Sequence, residues 1–255
     1  VADQIRLALD VTIGEHEVDV VVDPQLVSKA AAGAERIRIR GSTCFSLLDV
    51  KQLVEHEALV HTLTLTNGRK QKHLRCLGDG SPRTTKTQEG LALFAELITN
   101  AMDVSRLRRI SARVKAIDMA LGGADFVEVF KYFIDIGQTP MESFYSAMRV
   151  FRGGDVRGYV AFTKDTVYLE GFLMVHSFFR EAIEAGNYLY PHYLFAGRLT
   201  TEDVVLLEEL FEDGTISMPQ YEPQWVKNRS SLMAFLVYSS FLRELQPTSQ
   251  SPVAA

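Results

Sequence analysis

Cysteine is scarce in this chain. Cys44 and Cys76 are the only two in 255 residues, too few for a disulfide framework and set at a spacing that matches no zinc or redox motif. That points to a reducing compartment, and a cytoplasmic location is the expectation. Long apolar runs are missing too. The most apolar stretches, Gly171 to Phe179 and Leu232 to Leu242, fall far short of the roughly 20 residues that a membrane span needs, so no membrane partner is expected. The opening V-A-D-Q-I-R has neither the basic start nor the apolar core of a secretory signal. It does not begin with Met, and the chain reads as a piece of a longer protein. No internal repeat is visible. What remains, 47% hydrophobic and 23% charged residues, is ordinary globular material, and a chain of this size can bury roughly 70 to 75% of its unfolded surface. One domain over residues 1–245 is expected, followed by a disordered tail at 246–255.

Local patterns order this material. Valines 18, 20, 21 and 22 read as a strand closed by Pro24. Arg36-Ile37-Arg38-Ile39-Arg40 alternates with period two, the pattern of a strand buried on one face and placed at or near a sheet edge. From about Ser46 the period becomes helical, with Leu47, Leu48, Val50, Leu53, Val54, Leu59 and Val60 on a wide apolar stripe that runs to about Thr62. Asn67-Gly68, Gly78, Gly80 and Pro82 then mark a loop. Helices follow at about 84–101, 104–121, 139–151, 166–185, 200–212 and 228–245, that at 139 announced by Thr139-Pro140-Met141-Glu142, a cap, a first-turn proline and a third-position glutamate. Strands gather early and helices late, which argues α+β with helices dominant.

Chemistry concentrates in Val54-Glu55-His56-Glu57-Ala58-Leu59-Val60-His61. A zinc peptidase site needs two or three imidazoles or carboxylates on rigid backbone, an open position for water, and a carboxylate to take the water's proton. Histidines four apart on an α-helix share a face; these are five apart, turned by ~140° in a regular α-helix. The spacing therefore demands a π-bulge, whose i to i+5 bonding restores a common face. Without it, two histidines on an apolar stripe are simply hydrogen-bonded core or surface residues. A third ligand is available in Gln88-Glu89-Gly90-Leu91-Ala92: a carboxylate in the first turn of the next long helix, beside a glycine that allows close approach. An acidic residue is also at home there through the helix dipole alone.

Read together, H-E-A-L-V-H and T-Q-E-G-L-A resemble the metallopeptidase family known for its QEGLA motif, which includes the animal tubulin tyrosine carboxypeptidases and bacterial proteins described as flavohaemoglobin expression-modulating. Phe151-Arg152-Gly153 and the stretch from Phe162 to Gly171 resemble a second signature of that family, so the similarity covers most of the chain. The resemblance implies that His56, His61 and Glu89 bind one Zn2+, that Glu57 is the general base, and that the fold is zincin-like α+β: a small N-terminal antiparallel or mixed sheet followed by a predominantly helical domain. The resemblance also implies a further N-terminal segment, so the sequence is expected to be a fragment without it.

Peptide hydrolysis also needs a donor for the developing oxyanion; Tyr168 is the first candidate, with Tyr159 and His176 behind it. A carboxypeptidase must hold a terminal carboxylate, for which Arg152 and Lys164 are the cations chosen. From Asn67 to Lys86 six cations stand against Asp79, a net of +5, and the strand carrying Arg36, Arg38 and Arg40 adds three arginines on one face. If that strand borders the cleft, an extended peptide pairs with its backbone while acidic side chains meet the arginines. A peptide or protein C-terminal tail of acidic character is the expected partner. Two rival classes stay in view. One is a non-catalytic metal-binding regulatory protein, against which a closed site would show four protein ligands. The other, nucleic-acid binding, rests on the same loop and on Arg106, Arg108, Arg109, Arg113 and Lys115; no stacking platform or recognition motif accompanies them, and no nucleic-acid partner is expected.

Overall fold

The computed structural model describes residues 1–26 and 28–244; the tail at 246–255 lies outside them. Three strands come early. β1 (Asp19–Asp23) runs parallel to β3 (Arg36–Arg40), Val20 opposite Ile37 and Val22 opposite Ile39, and the two-residue β2 (Ala30–Ala31) lies antiparallel along the other side of β3. The Arg-Ile-Arg-Ile-Arg strand is thus the centre of a small mixed sheet, not its edge. Period-two alternation reports a single buried face, supplied here by Ile37 and Ile39; it is silent about how many neighbours the backbone has. β2 takes up the Arg38–Ile39 part of the second side of β3, so a peptide has no full-length edge there to pair with.

Ahead of the sheet runs a helix not anticipated from the sequence, α1 (Ala2–Thr12). Ile5, Leu7, Leu9, Val11 and Ile13 alternate as a strand would. Only Ile5, Leu9 and Ile13, spaced by four, are buried, while Leu7 and Val11 face solvent. The helical period wins because α1 packs on one side only, against the long helix behind the sheet and against β1.

That long helix is built in three parts. α2 (Leu47–Leu53) opens with a capping box between Ser46 and Asp49, passes into a π-helical segment at Val54–Thr62, and continues as α3 (Leu63–Arg69). It therefore runs past Thr62, and Asn67-Gly68 is not a turn. The Asn67 amide donates to the carbonyls of Phe195 and Tyr221 and accepts from the backbone N–H of Gln220 and Tyr221. Gly68 lies against the Leu77 carbonyl, where a Cβ would come within 2.1 Å of the oxygen. Both residues serve packing in a helix that would otherwise reject them.

After a 3-10 turn (Arg75–Gly78), Ser81 caps α4 (Pro82–Ile98), and Asp103 caps a separate α5 (Val104–Leu121). A helix missed in the sequence, α6 (Phe126–Asp135), carries its own capping box between Asp125 and Glu128. α7 (Pro140–Val150) begins at the Thr139 box as expected, and α8 (Thr166–Glu184) matches its pattern. The remainder comprises α9 (Tyr190–Tyr193), α10 (Thr201–Leu206), α11 (Glu208–Glu212), α12 (Gln224–Lys227) and α13 (Arg229–Glu244). Among the described residues no helix is long and apolar enough to cross a membrane.

The main core surrounds Phe94, whose ring meets Phe179, Trp225 and Phe235 at 5.0 to 6.0 Å; a smaller cluster, including Phe133 and Val150, joins α5, α6 and α7. One crossing sets the site. α4 and α8 touch backbone to backbone at Gly90 and Gly171, where a Cβ on Gly90 would fall 2.2 Å from the Gly171 carbonyl and one on Gly171 2.1 Å from the Lys86 oxygen. Only a residue without Cβ fits on either side.

Candidate metal centre

The π segment does what the spacing of five requires. It stacks His56 and His61, both buried, with ring centroids 4.7 Å apart and planes at 88°. Across from them Glu89, in the second turn of α4, brings one oxygen, Oε2, to 3.2 Å from His56 Nε2 and 3.6 Å from His61 Nε2. All three candidate ligand atoms lie within 4.8 Å of one another. A tetrahedral zinc ion with bonds of about 2.0 to 2.2 Å holds neighbouring ligand atoms roughly 3.3 to 3.6 Å apart. The two separations from Glu89 fall close to that range, and with all three atoms inside 4.8 Å the residues fit a zinc ion after a small side-chain adjustment. They do so with one carboxylate and two imidazoles, the donor set of an open site.

Each residue of the Gln88–Ala92 run has a physical task. Gln88 is buried and accepts from Thr64 Oγ1 at 2.8 Å, tying α4 to α3 just beyond the π segment. Glu89 reaches the histidines, Gly90 admits α8, and Leu91 and Ala92 are fully buried core. Two turns on from Glu89 the same face of α4 presents Glu96, fully buried, which meets His56 Nδ1 at 2.8 Å and is itself forked by Arg106 from α5. A carboxylate behind a ligating histidine fixes the ring and its tautomer. Glu96 was not foreseen, although a lone acid seven residues after Glu89 in an apolar run was a readable signal.

In the metal-free cluster, burial works against a charged His56, but its bonds to Glu89 and Glu96 and the field of Glu57 prevail and push its pKa up to about 10. Glu89 is driven the other way: burial opposes ionisation, yet bonds from His56 and His61 hold it far below the usual carboxylate range. Glu57 follows His56 on the π segment, and its Oε2 accepts from the backbone N–H of Ala32, just past β2, at 3.1 Å. β2 and the residue after it, rather than the arginine strand, line the cavities beside the cluster, Ala30 on one side and Ala32 on the other.

Two cavities flank it. One of about 470 Å³ is bordered by His56, Glu57, Tyr168, Arg106, Arg113 and Arg149. The other, about 740 Å³, is bordered by His61, Glu89, Lys164, Val167 and Arg198. The Gly90–Gly171 contact brings the start of α8, and with it Tyr168, to this position. Burial first, then the fields of Glu89 and Asp165, hold the Tyr168 phenol above its ordinary range, so it keeps its proton at neutral pH. Behind it Asp165, almost fully buried, accepts a fork from Arg149 and lies 3.2 Å from Arg113.

The other candidates separate. Lys164 lies at the larger cavity. Arg152 is exposed over the Phe162 ring and borders neither cavity. Arg38 lies 3.6 Å from Asp23 and Arg36 3.4 Å from Asp19, on the outer face of the sheet. Tyr159 is 73% exposed, and His176 sits among Phe94, Phe172 and Phe235 with Ser239 on its Nε2. Half of the cations in the basic loop are matched as well: Arg69 to Glu35, Arg83 to Asp203 and Lys86 to Glu170.

A family model described as microtubule-associated tyrosine carboxypeptidase matches residues 1–244. The chain belongs to that family. A comparison with curated proteins finds no match. Membership in the microtubule-associated tyrosine carboxypeptidase family agrees with the resemblance carried by the QEGLA run. Arg198, between Gly197 and Leu199, belongs to the second cavity and was invisible in the sequence, because an isolated arginine carries no periodic signal.

Proposed function

We propose that the chain is a zinc-dependent carboxypeptidase that trims acidic C-terminal tails. The observation that carries this reading is the convergence of Glu89 from α4 on His56 and His61 of the π-helical segment, with Glu57 beside them and a cavity on either side. When bound, zinc would supply an acidified water and a polarised carbonyl. The protein's own residues then have defined tasks. Glu57, oriented by the Ala32 amide, takes the proton from water and returns it to the leaving amine. Tyr168, held protonated, donates towards the oxyanion. Glu96 and Arg106 keep His56 in place.

Support for acidic tails moves from the arginine strand and the loop to the smaller cavity. Five cations border it, Lys29, Arg106, Arg109, Arg113 and Arg149, against Asp49, Glu57, Glu96 and the Asp165 that Arg113 and Arg149 share, an excess of one positive charge. That surplus favours glutamate or aspartate upstream of the cut. We treat residues 1–245 as one catalytic domain, and the two exposed free thiols, Cys44 and Cys76, suit a reducing, cytoplasmic setting.

The test is metal analysis of the purified chain, followed by mass spectrometry of a peptide library after incubation with it. Stoichiometric zinc and loss of single C-terminal residues are expected. Stoichiometric zinc without cleavage of any peptide would point to the metal-binding regulatory alternative, and absence of any bound metal after zinc loading would sink both.

A further inference from the structure

A carboxypeptidase must tell a chain end from a chain interior, and the cations near the cluster sort by whether they are free to do so. Arg106 is committed to Glu96, and Arg113 and Arg149 share Asp165. Lys29 is held by Asp49 and Arg83 by Asp203. Arg198 differs. It borders the 740 Å³ cavity beside His61 and Glu89, its Nε is buried without a hydrogen-bond partner, and its one side-chain hydrogen bond, to the His61 carbonyl, is 3.5 Å long. Among the described residues no carboxylate comes within ion-pairing distance of it. Its base is rigid: the Arg198 N–H donates to the Leu77 carbonyl at 2.7 Å, and Gly197 is pressed against Leu77.

We infer that Arg198 is the residue that recognises the terminal carboxylate of the peptide, a specificity determinant that makes the site an exopeptidase. The inference rests on the carboxypeptidase reading above. A largely buried guanidinium without a counter-ion is unfavourable unless an anion completes it, and the fork of an arginine matches a carboxylate in two parallel hydrogen bonds. Glu57 and Glu89 are too near to be irrelevant, but both are committed, one to proton transfer and one to the ligand set. Lys164 borders the same cavity from an exposed position, so it can add charge at the rim without fixing direction. An internal peptide bond would present Arg198 with a neutral amide and leave it unmatched.

Binding, not turnover, separates this from the broader reading. The background is the zinc-loaded Glu57→Gln chain, and the probe is an N-acetylated acidic tripeptide ending in tyrosine, as the free acid and as the C-terminal amide, followed by calorimetry. The acid is expected to bind on the order of 10- to 100-fold more tightly than the amide. Adding Arg198→Gln should remove that preference while the amide binds as before, and Arg198→Lys should restore part of it; thermal melts confirm that each variant is folded. Equal binding of acid and amide in the background, or a preference that survives Arg198→Gln, would overturn the assignment. Failure of the wild-type chain to cleave any peptide would instead count against the carboxypeptidase reading, leaving the binding result to stand by itself.

Discussion

The position of His56 depends on a group that is not a ligand, which makes Glu96→Gln the most informative single change. Glu96 is fully buried, meets His56 Nδ1 at 2.8 Å and is forked by Arg106. An amide can accept from the ring on one side only and returns no charge to Arg106. Loss of such a partner typically lowers metal affinity by about 10- to 100-fold, or roughly 1.4 to 2.7 kcal/mol. A second cost is separate. Removing one member of a buried ion pair destabilises by about 3 to 5 kcal/mol, less here because a quarter of the Arg106 side chain reaches solvent. The double variant Glu96→Gln/Arg106→Met should recover most of that stability without recovering zinc affinity, since His56 still lacks its carboxylate. Zinc affinity is read by competition with a chromophoric chelator, and folding by thermal melts with and without metal. A folded Glu96→Gln chain that binds zinc within twofold of the parent would refute the claim that Glu96 orients the ligand.

Glu57→Gln should keep zinc and lose turnover, whereas Glu89→Ala should lose zinc, both measured by metal analysis beside a peptide assay; appreciable activity in the Gln variant would rule out Glu57 as the base. In the metal-free chain the raised pKa of His56 stabilises the fold fully below its ordinary value of 6.5, and that contribution is lost as pH rises towards about 10. Melting temperature of the metal-free chain should therefore fall across that window, and zinc loading at pH 8 should release close to one proton, seen by calorimetry in buffers of different ionisation heat. Gly171→Ala puts a methyl 2.1 Å from the Lys86 carbonyl, so α8 must move off α4. A loss of about 1 to 3 kcal/mol in chemical denaturation is expected, with kcat falling more than zinc affinity because Tyr168 moves and the ligands do not. A peptide with glutamate upstream of its last residue should be trimmed faster than a neutral one at low salt. That advantage should shrink as exposed charges are screened beyond about 8 Å at physiological ionic strength; equal rates at low salt would leave the cationic cavity without a part in selection.

Those elements whose signals are local were legible. The capping box at Thr139, the helical stripes of α5 and α8, and the demand for a π-bulge between His56 and His61 all follow from residues within one or two turns of each other. So does the split of one sheet face into Ile37 and Ile39. What was not legible depends on partners far along the chain. Asn67-Gly68 reads as a turn until residues 195–221 arrive to use the amide and Leu77 arrives to use the missing side chain. Arg38 reads as cleft charge until β1 brings Asp23 beside it. Ile5 to Ile13 fits two periods, and only packing on one side decides. At the site, the candidate ligands His56, His61 and Glu89 could be picked out because a metal constrains residue types and spacing, and the structure brings the three together. Glu96 left a trace, an acid in an apolar run seven residues after Glu89, but Arg106 and Arg198 left none, since a lone arginine acquires meaning only from what it faces.

The π segment is more than a way of pairing two histidines, because an inserted residue changes the phase of everything after it. In an uninterrupted α-helix each residue turns by ~100°, so removing one residue between His56 and His61 would swing α3 by about that amount. Thr64 would leave Gln88, and Asn67 would leave the carbonyls of Phe195 and Tyr221. Gln71, just past α3, would leave Ala196 and Ser217. Each buried carbonyl stranded in that way costs about 1 to 3 kcal/mol. From the other end the segment is held by Glu96 on His56 and by the Ala32 amide on Glu57. The spacing of five and the buried amides of Asn67 and Gln71 therefore belong to one arrangement: the same extra residue that closes the ligand set also aims the end of the helix at the segment carrying Arg198. A shortened H-E-x-x-H version of this helix would regain a regular hydrogen-bond ladder and keep two histidines on one face, but it would lose that aim.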